Sequence, residues 1–241
     1  HLFSLANEQR EQHLGDPNYA SVDVEHALSS KRIRALLSRA EFDLSKSADP
    51  RPKASGDTVG IVAIDKSGLA VSSLHSVFYA FGARVLEPRT GIILSNRSAS
   101  FSLVEGHPAY LAPGARPPST LLPVMVDHPD GTFTTIASMG GRSQAQIQAQ
   151  LINRIIKGDS PSAAVAKPRF VVGSFGPNLR EAIIMEPGLP FTPGQLRESS
   201  RFLVLDQAGP DDRCGHAQII QEKGGALLTG SDPRADGVER K

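Results

Sequence analysis

The chain has 241 residues, 39% of them hydrophobic, and a formal net charge of +1. That is enough apolar material for one large domain or two small ones, and no Lys/Arg run suggests nucleic acid or a membrane surface as a partner. Cys214 is the only cysteine, so no internal disulfide can form, and no apolar run is long enough to span a bilayer as a helix.

The first residue is His1, with no leader-type segment before the first helix-like stretch. The start reads as a cut end, which leaves the compartment, cytoplasmic or periplasmic, open. Residues 2–12 are helix-like, and Leu14-Gly15-Asp16-Pro17 stops them. Ser29 or Ser30 caps a second helix with Ile33, Leu36 and Leu37 on its apolar face. Residues 43–57 are polar and rich in Ser, Lys, Asp and Pro, the best linker candidate in the chain. An exposed linker running into a buried strand is also where a processing cut is tolerated.

The linker ends at Asp57-Thr58, and Thr58 heads an apolar run, Val59-Gly60-Ile61-Val62-Ala63-Ile64. The turn Asp65-Lys66-Ser67-Gly68 and a second run, Leu69 to Leu74, complete a hairpin. A threonine hydroxyl is a weak nucleophile unless a base sits beside it, and the nearest base is its own α-amine, free only after a cut before it. This pattern suggests a self-cleaving hydrolase. Read alone, the commoner explanation of a threonine at a strand start is β-propensity.

Short strands are expected at Val85-Leu86 and Ile92–Leu94, then a Pro/Gly-rich loop from Gly106 to Pro118. Residues 121–126 and 133–138 flank the turn Asp127-His128-Pro129-Asp130-Gly131 as a second hairpin. The period then changes, with Ile147, Leu151, Ile152, Ile155 and Ile156 at helical spacing from about Ser143 to Lys157. A short helix from Ser162, strands Arg169–Val172 and Glu181–Met185, and a helix from Thr192-Pro193 follow. Strands Phe202–Leu205, Gly215–Gln221 and Gly225–Leu228 close the chain. Paired hairpins and a few helices predict an α+β fold with helices covering sheets.

Seven pieces carry a resemblance when taken in order. They are Asp57-Thr58-Val59-Gly60; Thr90 to Arg97 preceding Phe101-Ser102; Ala112-Pro113-Gly114-Ala115-Arg116-Pro117; Met139-Gly140-Gly141; Lys167-Pro168-Arg169-Phe170; Gly215-His216-Ala217-Gln218; and Ser231 to Gly237. Together, over almost the whole chain, they resemble the γ-glutamyltransferase (γ-glutamyltranspeptidase) family of the N-terminal-nucleophile hydrolase superfamily. The resemblance implies a four-layer αββα sandwich and a precursor that cuts itself before a threonine. Residues 1–57 would be the tail of the large subunit and 58–241 the whole small catalytic subunit. The partners implied are a small-molecule amide or γ-glutamyl substrate and the rest of the large subunit, with no nucleic acid, membrane or cofactor. Such heterodimers leave room for a homo-oligomer.

By the same resemblance Thr58 is the nucleophile and base, Ser76 a hydroxyl that bonds to it, and Gly140 and Gly141 the backbone donors of an oxyanion hole. Helix N-terminal geometry after the glycines suits that last role. Ser119 and Thr120 match a hydroxyl pair that holds the substrate's α-carboxylate, and Asn96, Arg97 and Ser100 lie in the loop leading into the pocket. Here the sequence departs from the family. Arg97 stands where an amide residue is expected, Ser100 where an aspartate pairs with the substrate's ammonium, Phe78 in place of a polar residue, and Val59-Gly60 where many members have Thr-His. A cation in place of an anion disfavours an ammonium and suits a carboxylate, as on a glutaryl-type acyl group. The departures point to the acylase-like branch of the family and away from a glutathione-degrading enzyme. An ordinary exposed or ion-paired Arg97 is the competing reading, and loss of the pocket aspartate also admits an inactive homologue serving as a binding or assembly module. His75 reads as packing or surface, Cys214 with His216 as no thiol site, and Asp232 to Gly237 as structural despite its superficial likeness to a calcium loop.

Overall fold

The computed structural model describes residues 1–42, 58–174, 181–199 and 202–240. The linker expected at 43–57, with Asp57, lies outside the described residues. Helices α1 (Leu2–His13), α2 (Val24–Leu28) and α3 (Ser30–Phe42) form the N-terminal segment. The short α2 was not expected; Asp23 caps it by accepting from the His26 amide at 2.8 Å.

Strands β1 (Thr58–Ile64) and β2 (Ala70–Ser76) make the expected hairpin, with Thr58 opposite Ser76. Its turn is held by Asp65, whose Oδ1 accepts from the Ser67 and Leu69 amides at 2.8 and 3.0 Å, while Gly68 takes φ +86°. A small hairpin follows, β3 (Leu86–Glu87) and β4 (Ile92–Ile93). Then come β5 (Val124–Asp127), β6 (Phe133–Ser138), α4 (Gln144–Ile156), α5 (Pro161–Ala166), β7 (Phe170–Ser174), β8 (Glu181–Met185), α6 (Pro193–Ser199), β9 (Leu203–Asp206), β10 (Ala217–Lys223) and β11 (Ala226–Ser231). Helix α5 starts before Ser162: Pro161 occupies its first position and Ser160 caps it, accepting from the Ala163 amide.

The main sheet has the order β11-β10-β6-β5, all antiparallel. Alternation along β6 separates its two faces. Ile136 joins Ile147, Leu151 and Ile155 of α4 and Val165 of α5 in the principal core. Ala137, pointing the other way, meets the β1–β2 hairpin: a Cβ on Gly60 would lie 3.1 Å from Ala137. Helix, sheet and sheet are thus stacked, three of the four layers of the αββα arrangement. The hairpin's outer face, with Val59, Ile61 and Val71, is exposed.

A second sheet, β7-β8-β9, pairs β8 and β9 in parallel through the α6 crossover, a connection the strand pattern alone did not indicate. Its edge strand β7 is covered by α4. Gln146 Nε2 donates to Val172 O and its Oε1 accepts from Val172 N, both at 2.8 Å. Gln150 does the same with Phe170 at 2.8 and 3.3 Å. Four helical residues rise about 6 Å and two strand residues about 6.6 Å, so glutamines at i and i+4 match alternate residues of an edge strand. Among the described residues no helix is long and apolar enough to cross a membrane.

A buried ionic knot ties the C-terminal end to the core. Arg169, fully buried, donates through Nη2 to Asp232 at 2.5 Å and to Gly215 O at 2.6 Å. Arg234 pairs with Glu186 and with Asp232. The Asp232–Gly237 stretch is therefore built into ion pairs as a structural lock, and no cluster of His, Cys, Asp and Glu suited to a metal occurs among the described residues.

Candidate active site

Three surfaces converge at the Thr58 end of the hairpin. Ser72 Oγ donates to Ile136 O at 2.7 Å, and Gly60 abuts Ala137. The contacts therefore advance along β6 as β1 is followed back toward its start, which carries Thr58 toward the Met139–Gly141 turn. There Gly140 and Gly141 adopt φ +154° and +51°, in the region that favours glycine. A Cβ on Gly140 would strike Ile147 Cδ1 at 2.3 Å, whereas one on Gly141 would meet nothing within 4 Å. Gly140 is thus pressed into the core and Gly141 borders open space. The 3-10 turn Gly141–Ser143 leads straight into α4.

Ser76, Arg97 and Thr120 are joined directly. Arg97 Nη2 donates to Ser76 Oγ and Nη1 to Thr120 Oγ1, each at 3.3 Å. The guanidinium carbon lies 4.7 Å from the centroid of the Phe78 ring. Phe78 itself has φ +81°, an uncommon conformation for a non-glycine, and its amide donates to Ser76 Oγ at 3.1 Å. The ring stacks on Tyr79. Among the described residues Arg97 has no acidic partner, contrary to the reading of an ordinary ion-paired arginine. Burial pushes its pKa down. The Ser76 hydroxyl is engaged by Arg97 and Phe78, with no hydrogen bond to Thr58 among the described residues.

The remaining sequence-predicted residues divide. Asn96 faces the backbone, accepting from the Tyr79 amide at 3.0 Å. Ser100 is buried and reaches Arg97 O at 2.7 Å and Pro118 O at 2.9 Å, stapling two loops where a pocket carboxylate was the family expectation. Ser119 Oγ accepts from the Leu121 amide.

A small cleft with a cavity volume of about 30 Å³ lies beside this group. Phe78, Ser100, Pro118, Ser119 and Thr120 form one wall, and Arg10, Glu11, Leu14 and Arg142 the other, with His107 and Ala109 completing it. Thr58, Ser76 and the two glycines do not line it; Arg97 touches both its Thr120 and Phe78 and the Ser76 hydroxyl. The α1 contribution was missed by sequence reasoning. Glu11 pairs with Arg142, the residue after the two glycines, and Arg10 Nη1 donates to Arg142 O at 3.0 Å. No local signal in residues 10–14 marks that role, because it arises from packing between segments more than 120 residues apart. The N-terminal segment is anchored further by Asp16, which accepts from Arg116 N, Nε and Nη2, and by Tyr19 Oη to Pro113 O at 2.6 Å. Those Arg116 bonds hold the Asp16 carboxyl well below the ordinary aspartate range.

Cys214 is buried with its thiol pushed up to about 12 by burial, and His75 is exposed; neither enters the site.

The fold is that of an N-terminal-nucleophile hydrolase. The γ-glutamyltranspeptidase family model matches residues 2–241, and the chain belongs to that family. It is 35% identical to an oxamate amidohydrolase proenzyme from Klebsiella pneumoniae, over 95% of this chain and 44% of that protein. It is 33% identical to a glutathione hydrolase-like proenzyme from Bacillus subtilis, with the same shares covered. The chain thus spans less than half the length of these relatives. Among solved structures, a cephalosporin acylase from Bacillus halodurans superposes with a TM-score of 0.76 at 28% identity, over 98% of this chain and 43% of that one. A γ-glutamyltranspeptidase chain from Pseudomonas nitroreducens superposes with a TM-score of 0.63 at 25% identity, over 76% of this chain and 98% of that one.

Proposed function

We propose that this chain carries the catalytic centre of a self-processing N-terminal-threonine amidohydrolase whose substrate is an amide bearing a carboxylate on its acyl group. The observation that carries the reading is Arg97: a half-buried guanidinium with no acidic partner among the described residues, stacked on Phe78 and hydrogen-bonded to the cross-strand neighbour of Thr58. Residues directly opposite in an antiparallel pair have Cβ atoms about 5 Å apart. A carboxylate held by Arg97 would therefore lie within a few bonds of a carbonyl under attack by Thr58, which favours a short dicarboxylic monoamide. An ammonium in that position would face a cation.

In this reading the Asp57–Thr58 bond is cut by the Thr58 hydroxyl, separating residues 1–57 from 58–241. The Pseudomonas nitroreducens chain supports the boundary, because the 76% of this chain that it matches is the share made up by the residues from Thr58 onward. The freed amine of Thr58 takes the hydroxyl proton as Oγ1 adds to the amide carbon. The oxyanion is received by the Gly140 and Gly141 amides. Collapse expels the amine, which takes the proton back, and leaves an acyl ester on Thr58. Water, deprotonated by the same amine, then releases the dicarboxylate. The oxamate-directed relative, whose named substrate has a carboxylate next to its amide, fits this chemistry.

The test is a panel of oxamate, glutaryl anilide and γ-glutamyl anilide, assayed with the complete polypeptide and its Thr58→Ala variant. Expected are two fragments meeting at Thr58 by mass spectrometry, turnover of oxamate or glutaryl anilide, which carry a carboxylate and no ammonium, and weak use of the γ-glutamyl compound, which carries both. Thr58→Ala should leave one uncut, inactive chain. A wild type that is fully active while uncut refutes the processing step. Preference for γ-glutamyl anilide over both oxamate and glutaryl anilide, which lack an ammonium, refutes the role of Arg97.

A further inference from the structure

The segment Pro117 to Pro123 forms one wall of the cleft yet belongs to no helix or strand. Among the described residues it makes no backbone–backbone hydrogen bond outside regular elements. Three prolines remove amides it would need, and its remaining polar backbone is left to side chains and solvent. Gln144 Oε1 accepts from Leu122 N at 2.9 Å, and Gln148 Nε2 donates to Leu122 O at 2.5 Å. One turn of α4 thereby grips both polar atoms of a single residue, as Gln146 grips Val172 on the helix's other side. Gln148 Nε2 also donates to Ser138 Oγ at 3.1 Å, on the strand that ends in the glycine pair. Gln144, Gln148 and Ser138 are all buried, so these amides have no water to fall back on.

We infer that Gln144 and Gln148 are positioning residues that lock the Ser119–Thr120 wall, and through Thr120 the Arg97 guanidinium, in register with the glycine turn. This rests on the amidohydrolase reading for its kinetic consequence, but not for its structural one. The physical logic is a relay of fixed lengths. Gln144 begins the helix that follows Gly141, and a Cβ on Gly140 would lie 3.6 Å from its amide nitrogen. From that anchor the chain of contacts runs through Leu122 to Thr120, then to Arg97 and Ser76. Release at Leu122 lets Thr120 drift and leaves Arg97 with one hydroxyl fewer, so the carboxylate-binding step suffers while the nucleophile and the glycine amides stay in place.

The helix supplies its own control. Gln146, buried, and Gln150, half-buried, make the same kind of paired bond to β7 instead of the cleft wall. In the complete polypeptide, Gln144→Met/Gln148→Met and Gln146→Met/Gln150→Met are compared by thermal melting, by kcat and KM for the carboxylate-bearing amide, and by hydrogen exchange of the 119–122 peptide. The first pair is expected to raise KM about tenfold or more with kcat within threefold, and to speed exchange of 119–122. The second pair is expected to lower the melting temperature by a similar amount while leaving KM and the 119–122 exchange at wild-type values. Equal KM changes in both pairs, or an unchanged KM and exchange rate in the first, overturn the inference. Should wild type turn over none of the amides, the functional reading fails, and the exchange comparison alone decides whether the glutamines fix the wall.

Discussion

Replacing Arg97 by methionine removes the charge while keeping a long side chain against Phe78. Arg97 spends two of its five N–H donors on neutral hydroxyls at 3.3 Å, at the long end of the useful range, so ample donor capacity remains for an anion. Bonds from a guanidinium to a carboxylate are shorter and stronger, and a hydrogen bond to a charged group contributes about 1.5–3 kcal/mol net. Loss of one such interaction corresponds to roughly a 10- to 150-fold fall in kcat/KM. The stability cost is smaller, on the order of 1 kcal/mol for a ring contact and two long hydrogen bonds at a half-exposed position. The assay measures kcat/KM for a carboxylate-bearing amide and for its methyl ester, on wild type and Arg97→Met. The variant should lose activity on the acid by the stated factor, lose little on the ester, and gain on γ-glutamyl anilide as the repulsion of its ammonium disappears. An acid-to-ester preference that stays within twofold of wild type would falsify the assignment.

Three other outcomes follow from the packing. Asp16 has a folded-state pKa below its unfolded value near 4, so its stabilising effect is present above about pH 4 and is lost as pH falls through and below that value. The melting temperature of wild type should therefore drop more steeply than that of Asp16→Asn between about pH 5 and pH 3, and parallel slopes would contradict the Asp16–Arg116 anchor. Asp232→Ala strips the fully buried Arg169 of its carboxylate partner and should cost about 3–5 kcal/mol in denaturant unfolding. Gly140→Ala forces a Cβ to 2.3 Å from the fully buried Ile147 and should lower stability by about 1–3 kcal/mol beyond its backbone strain. Gly141→Ala, with open space around it, should carry only the cost of its φ, about 1 kcal/mol. Thermal melts of the two alanine variants compare these directly, and equal losses would contradict the packing at Gly140.

Local chemistry was enough to place much of this molecule. Asp65 and Gly68 mark the first hairpin's turn, and the 3.6-residue spacing of Ile147, Leu151 and Ile155 marks α4, because these signals depend only on neighbours in sequence. The same run hides the more consequential residues. In Gln144-Ala145-Gln146-Ile147-Gln148-Ala149-Gln150 the isoleucine reads as core, while the glutamines look like solvent-facing helix formers. Three of them are buried, and their purpose becomes visible only once β7 and Leu122 lie alongside.

The amino-acid order by itself determined most of the elements, though not α2 or the start of β5, together with the family and the chemical departure at Arg97, since side-chain identity and periodicity are local properties. Tertiary structure decided what Arg97 touches, that Ser100 staples loops, and that Glu11 and Arg10 reach Arg142 from an N-terminal helix. Those contacts join residues up to about 130 positions apart. Their free energy depends on burial and on which polar groups are left to satisfy one another, quantities that exist only after the layers have closed.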